Sequence, residues 1–259
     1  LIEAYKIYTT SELSGCIEAL AEAIENNVPR FADGTFRRPH NMWADDLYMS
    51  TPFLVRLGLM KKEDAYFEEC VRQFRGFRKR LYMPEKGIYS HIYFLDDNRA
   101  NQIPWGRGNG WIFNALSDVC SLMSDHISGK EDLLNMFREF AYALKKYQDE
   151  QGLWHQVLTR RDSYAETSGS AMFLLGMCRG VNHHWLNRQD FEECIDKACY
   201  GLLKHTIDRN GNISGVCKGS SCSYNEDYYI KLKTIDNDDH GTGIVLSALC
   251  EYWKFKEAE

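Results

Sequence analysis

Two acids stand side by side in Met42-Trp43-Ala44-Asp45-Asp46-Leu47-Tyr48-Met49-Ser50-Thr51-Pro52-Phe53, where an otherwise apolar helical pattern begins. A carboxyl group in that position has two uses. It can accept from the free N–H groups of the first helical turn and sit well against the helix dipole. Held in a pocket, it can instead give and take a proton. Neighbouring residues on a helix diverge by about 100°, so Asp45 and Asp46 cannot both enter one pocket. One is free for chemistry while the other caps.

A second group is His91, followed after a loop by Trp105-Gly106-Arg107-Gly108-Asn109-Gly110-Trp111. The glycines suggest a phosphate loop, but no Lys-Ser/Thr follows and no parallel-strand pattern precedes, which excludes that reading. Trp with Arg two residues on offers a stacking face beside a fork that grips a carboxylate; packing aromatics with a surface arginine is the plainer alternative. Asp162-Ser163-Tyr164-Ala165-Glu166-Thr167-Ser168-Gly169-Ser170 carries a helix N-cap signature, with Glu166 as a second candidate pocket acid. Asp236-Asn237-Asp238-Asp239-His240-Gly241-Thr242-Gly243 is acid-rich like a metal loop but lacks the Gly and Glu of an EF-hand, so it reads as a polar loop capping the last helix. Cys217 and Cys222 have the spacing of a loop disulfide or half a zinc site, with no second ligand pair. The expectation is no metal.

The elements that must position these residues form a degenerate repeat. Four times an amphipathic helix leads to a glycine turn, then a short polar or extended stretch, then a more apolar helix. The turns are Asp33-Gly34-Thr35-Phe36, Lys86-Gly87-Ile88-Tyr89, Gln151-Gly152-Leu153-Trp154 and Asn210-Gly211-Asn212-Ile213, their glycines 53, 65 and 59 residues apart. Amphipathic helices are expected over 11–26, 62–81, 130–149 and 188–206; in the third, Leu133, Leu134, Phe137, Phe140, Ala141 and Leu144 recur at the spacing of one buried stripe. The helices over 44–58, 109–124, 166–179 and 240–256 are apolar nearly all round and so buried on more than one side. Three open with small residues that let helix ends crowd around a common axis. Outer and inner helices in alternation describe an all-α, (α/α) toroid whose site lies at the mouth formed by the outer-to-inner loops. Six such hairpins would need roughly 350 residues, so the expectation is one domain over 1–259, either a shorter open array or a six-hairpin ring with its first two hairpins missing.

Net charge is −6 with no basic run, so nucleic acid is not an expected partner. An anionic ligand must be held by local arginines, among Arg37, Arg38, Arg107, Arg160 and Arg161. The nine cysteines mostly fall inside apolar helical patterns and read as reduced core thiols. No run reaches the ~18 apolar residues of a membrane span, and no secretory signal pattern is present, which favours a cytoplasmic protein without membrane contact.

Taken together, Trp43-Ala44-Asp45-Asp46-Leu47-Tyr48-Met49 with Pro52-Phe53, the Trp105–Trp111 motif, Glu166-Thr167-Ser168-Gly169-Ser170-Ala171-Met172-Phe173 and His240-Gly241-Thr242-Gly243 resemble glycoside hydrolase family 105. These are the unsaturated rhamnogalacturonyl hydrolases, related to the unsaturated glucuronyl hydrolases of family 88. The resemblance implies a six-hairpin toroid acting on oligosaccharides that end in an unsaturated uronic acid, as left by pectin breakdown. It implies Asp45 as general acid/base, with Trp43, His91, Trp105, Arg107 and Trp111 around the substrate and no cofactor. The family's second aspartate, on an earlier inner helix, has no match in this sequence. Asp45 would protonate C4 of the C4=C5 double bond and then assist water attack at C5. Burial among Trp43, Trp105 and Trp111 is expected to raise its pKa, and Arg107 to meet the substrate carboxylate rather than Asp45. The alternatives from other classes are a non-catalytic sugar-binding or scaffold toroid, and another toroid enzyme such as a sugar epimerase or a zinc-dependent prenyl transferase.

Overall fold

The four repeat glycines all take left-handed backbone, with φ of 83° at Gly34, 70° at Gly87, 87° at Gly152 and 82° at Gly211. Three of the turns are built alike. Phe31, Asp149 and Asp208 each donate their N–H to the carbonyl four residues on (2.8, 2.9 and 3.0 Å), across a glycine. An aspartate side chain, Asp33, Asp149 or Asp208, accepts from backbone N–H groups inside each turn. The repeat read from the sequence is therefore a repeat of hydrogen bonding.

The computed structural model describes residues 1–258. In chain order the helices are α1 (Ile2–Tyr8), α2 (Ser11–Asn26), α3 (Asp46–Lys61), α4 (Ala65–Leu81), α5 (Gly106–Leu122), α6 (Lys130–Lys145), α7 (Thr167–Asn182), α8 (Arg188–His205), α9 (Glu226–Ile230) and α10 (Asp239–Glu257). The inner helices α3, α5, α7 and α10 pack side by side in that order, and α4, α6 and α8 lie behind the first three. This is the two-layer arrangement of an α/α toroid. Helix α7 is buried from Thr167 through Cys178, because it has α5 on one side, α10 on the other and α8 behind.

Small residues set how closely the inner helices approach. A side chain at Gly110 would come within 2.7 Å of Met172 Sδ, and one at Gly169 within 3.0 Å of the Gly106 carbonyl carbon. Three turns further along, charges tie the same helices together: Arg56 to Asp118 (2.5 Å), Asp118 to Arg179 (3.5 Å) and Arg179 to Glu251 (3.7 Å). No described helix is long and apolar enough to cross a membrane.

The outer-to-inner connections carry short antiparallel strands. β1 (Asn41–Trp43), β4 (Ile92–Phe94) and β5 (Arg99–Ala100) form one sheet, with Trp43 opposite Ile92 and Tyr93 opposite Ala100. β2 (Tyr82–Met83) pairs with β3 (Ile88–Tyr89), and β6 (Val216–Cys217) with β7 (Thr234–Ile235). The first sheet brings the segment before α3 against the segment after β3.

Helix boundaries differ from the sequence reading in instructive ways. α5 begins at Gly106, so Arg107-Gly108-Asn109-Gly110 is its first turn rather than a loop before it. α4 begins three residues later than expected, because Lys62 adopts left-handed backbone (φ 59°) at the end of α3. α1 and α9, with 7 and 5 residues, are too short to show a stripe.

Gly152 and Gly211 share a conformation but not surroundings: a Cβ on Gly152 would fall 2.0 Å from the Lys197 carbonyl oxygen, whereas one on Gly211 would meet nothing within 4 Å. Gly211→Ala should cost about 1 kcal/mol, the left-handed strain alone, and Gly152→Ala about 3 kcal/mol or more, since steric overlap adds to it. Urea unfolding of the two variants decides; equal losses would mean that the Gly152 turn is not held against α8.

Candidate active site

The strand pairing that ends β1 continues past it. Ala44 donates to the His91 carbonyl (2.8 Å) and His91 to the Ile103 carbonyl (2.9 Å), which fixes Asp45, His91 and the chain leading to Trp105 side by side. The two acids then separate. Asp46 accepts three bonds from Arg38, the shortest 2.7 Å, and one from the Trp43 N–H at 3.3 Å. Its charge is thereby committed to holding the entry of α3. Asp45 caps nothing with its side chain; its Oδ2 lies 3.1 Å from His91 Nε2, and its Oδ1 takes no side-chain partner.

Asp45 opens on a cleft of about 170 Å³ walled by Trp43, Met49, Trp105, Arg107 and Trp111, with Gly219, Ser220 and His240 opposite. Trp111 is stacked on Tyr48 (4.5 Å between rings) and Trp43 is held by Asn41 (2.8 Å), so both indoles are fixed. A larger hollow of about 440 Å³ along α4 is lined by charges that already pair with one another or with near neighbours, such as Arg75 with Asp132 and Lys79 with Asp33.

Arg107 is almost wholly buried (2% exposed). Its Nη1 donates to the Cys217 carbonyl at 2.5 Å, and the guanidinium lies 4.9 Å from the Trp105 ring centre. Among the described residues no carboxylate comes within ion-pair distance of it. A desolvated cation with an open side facing a cleft is an anion site. Of the five arginines considered from the sequence, Arg107 alone lines this cleft; Arg38 is engaged by Asp46 and Arg160 by Asp162 and Glu226.

Three expectations are corrected. His91 is not a wall of the substrate pocket: it is fully buried behind Asp45, packed by Trp43, Trp105 and Tyr229, with both ring nitrogens engaged. Glu166 is not a pocket acid. Its carboxylate accepts from Ser168 N and Oγ, Gly169 N (2.6 Å) and Cys217 N (3.0 Å), so it caps α7 and clamps β6. The Asp45 carboxyl is not raised. Burial presses it upward, but the hydrogen bond and electrostatic attraction from the His91 ring, its own backbone N–H and the nearby Arg107 together hold it below the ordinary aspartate value.

The last helix is capped as expected, with Asp238 Oδ1 accepting from His240 N at 2.9 Å. Cys217 and Cys222 are both free thiols and face different partners, Gln156 and Asn41. The sequence marks Tyr228-Tyr229 ahead of the acid-rich loop without assigning Tyr229 a role, and gives no sign of Asn101 or Gln156. Tyr229 Oη lies 2.8 Å from His91 Nδ1, and Gln156 accepts from the Trp105 indole (3.2 Å). Their partners lie 51 to 138 residues away in sequence, so no local pattern could reveal them.

A buried acid beside an anion site, walled by indoles at the mouth of a helical toroid, defines a carbohydrate-active hydrolase. Residues 1–256 match the family Glycosyl Hydrolase Family 88, and the chain belongs to that family. It is similar to the unsaturated rhamnogalacturonyl hydrolase YesR of Bacillus subtilis (strain 168), with 28% identity over 92% of this chain and 70% of that one. An unsaturated 3S-rhamnoglycuronyl hydrolase of Alteromonas sp. (strain LOR) is 26% identical over 81% of this chain and 50% of its own length. A solved glycoside hydrolase of family 105 from C. acetobutylicum ATCC 824 superposes with a TM-score of 0.91 at 25% identity, over 98% of this chain and 77% of that one.

Glu166→Ala removes the acceptor of four hydrogen bonds at a buried position. It should lower unfolding stability by about 2–4 kcal/mol and, by freeing Cys217, loosen Arg107. Chemical denaturation measures this; a loss below about 0.5 kcal/mol would show that the clamp is idle.

Proposed function

We propose that this protein releases a terminal 4,5-unsaturated uronic acid from pectin-derived, rhamnogalacturonan-type oligosaccharides by hydrating the C4=C5 double bond. The observation that carries the reading is the pairing on one cleft of Asp45, whose Oδ1 takes no side-chain partner among the described residues, with the buried Arg107, which meets no carboxylate among them. The names of the relatives from Bacillus and Alteromonas support the substrate class. The partly exposed indoles of Trp43 and Trp111 supply the flat apolar faces on which sugar rings stack, with the buried Trp105 behind them. Ser220 Oγ, buried on the opposite wall without a protein partner, supplies a hydrogen bond for a ligand oxygen.

The steps balance without a cofactor. Asp45 Oδ1–H protonates C4, and the positive charge left at C5 is shared with the ring oxygen. Water adds to C5 and gives its proton to the Asp45 carboxylate, restoring the acid. The hemiketal so formed opens and frees the neighbouring sugar. Arg107 takes the uronate carboxylate.

This assignment also accounts for an acid that is ionised in the free protein. A substrate carboxylate on Arg107 neutralises the cation that helps hold Asp45 down and places a negative charge nearby, while the sugar excludes water. All three changes favour the protonated form. The reduced thiols, Cys16 through Cys250, support a reducing compartment, the cytoplasm.

Asp45→Asn should lower turnover of an unsaturated rhamnogalacturonan disaccharide, followed by loss of its ultraviolet absorbance, about a thousandfold; turnover within tenfold of the parent would remove Asp45 from the mechanism. The active form is protonated, so rate falls as pH rises through the pKa. Because kcat/KM reports the free enzyme and kcat the complex, the kcat limb should lie at higher pH than the kcat/KM limb. Arg107→Met should raise KM at least tenfold and shift the kcat/KM limb upward. Coincident limbs in the parent protein would contradict substrate-driven protonation.

A further inference from the structure

Behind Asp45 the polar groups form a chain with defined directions. Asn101 Oδ1 accepts from the backbone N–H of Ile103 (3.2 Å) and of Ile92 (3.4 Å), so its amide orientation is set. Its Nδ2 must then donate to Tyr229 Oη (3.2 Å) and to the Ser223 carbonyl (3.0 Å). With one lone pair of Tyr229 Oη so occupied, the phenol proton has two destinations: His91 Nδ1 at 2.8 Å or the Ser221 carbonyl at 3.4 Å. The shorter bond goes to His91. A nitrogen that accepts carries no proton, so the neutral His91 ring is protonated at Nε2, the nitrogen 3.1 Å from Asp45 Oδ2.

We propose that Tyr229, oriented by Asn101, is a positioning residue that locks His91 in its Nε2–H form and thereby keeps the catalytic proton of Asp45 on Oδ1, the oxygen that faces the cleft. With Nε2–H donating, Oδ2 is always an acceptor, and a proton arriving at the carboxyl has only Oδ1 to occupy. In the opposite tautomer Nε2 would accept, and the acid would place its proton on Oδ2, turned into the protein and out of reach of the substrate. The lock therefore acts on where the proton resides, while burial, His91 and Arg107 decide whether it is present.

The inference rests on Asp45 being the acid of the reaction proposed above. The other charged and titratable groups around the pair are Arg107 from α5, Arg38 and Asp46 beside α3, His240 and Asp238 at the start of α10, and Cys222 near Tyr229. None of them makes a hydrogen bond to either nitrogen of His91, so none can choose its tautomer directly.

The test compares the parent with Tyr229→Phe, using ¹⁵N-histidine-labelled protein and the unsaturated disaccharide. In the parent, the His91 signals, assigned by their loss in His91→Gln, should be those of the Nε2–H tautomer. In Tyr229→Phe the Nδ1–H tautomer should appear as Asp45 becomes protonated, kcat should fall about tenfold, and KM should stay within twofold, since the cleft wall is untouched. Should the phenylalanine variant not fold, Asn101→Asp serves: it presents an acceptor to Tyr229, turns the phenol proton away from His91 and should produce the same tautomer shift. An unchanged His91 tautomer in a folded variant, or kcat within twofold of the parent, overturns the proposal. A parent protein that does not consume the disaccharide overturns the reaction assignment instead, while the nitrogen spectra still decide the lock.

Discussion

The hydrogen bond between His91 and Asp45 sits at the point where every other constraint in the mouth meets. A carboxylate almost surrounded by protein is costly to leave without a partner, and the bond to a fully buried imidazole is what stabilises it. That imidazole needs its own partner, which brings in Tyr229, and Tyr229 brings in Asn101. The same logic runs from Arg107 to the Cys217 carbonyl, and from the Cys217 N–H to Glu166 at the start of α7. Once these chains are satisfied, two groups still have capacity directed into the cleft, Asp45 Oδ1 and the Arg107 guanidinium. An acid and an anion grip remain because the groups behind them are engaged with one another.

The toroid supplies what such a cluster requires. Inner helices that all begin at the mouth bring the starts of α3, α5, α7 and α10 to one place, and the glycines at 110 and 169 let α5 and α7 approach until a single methyl group would collide. Ion pairs among Arg56, Asp118, Arg179 and Glu251 hold the same helices further along. The connecting strands, two or three residues each, are too short to be stable alone; they are held because the helices on either side leave them no other course. The site thus stands on connections whose ends are rigid.

Much of this was legible in the sequence, and the reason is periodicity. Stripes such as Leu133 to Leu144 and the recurring glycine turns report helices and their polarity directly, and the eight longer helices fall where those patterns lie. Asp45, Trp43, Trp105, Arg107 and Trp111 were legible because each belongs to a local motif rich in residues that carry chemistry. His91 was found but given the wrong place, since a lone histidine in a strand pattern does not say which side of an acid it lies on. Glu166 reads from the sequence as a pocket acid beside a Thr and Ser cap, whereas it is itself the cap, and the Cys217 N–H, 51 residues away, takes up its remaining capacity. The sequence suggests a raised Asp45 carboxyl because its aromatic neighbours imply burial, whereas the groups that hold it down, His91 and Arg107, reach it across the fold. Tyr229 and Asn101 meet each other and His91 only through long-range contacts, which no local pattern reports.

The account turns on a carboxyl that is ionised when the cleft is empty and takes up a proton when a uronate enters. Titration of the Asp45 carboxyl by ¹³C NMR, with aspartate labelled at the side-chain carbon, reports this without turnover when a saturated uronate glycoside is the ligand. The account predicts an Asp45 resonance that titrates below the ordinary aspartate range in the free protein and moves to higher pH in the complex. A carboxyl already neutral near pH 7 without ligand, or a titration that the uronate leaves unmoved, would contradict it.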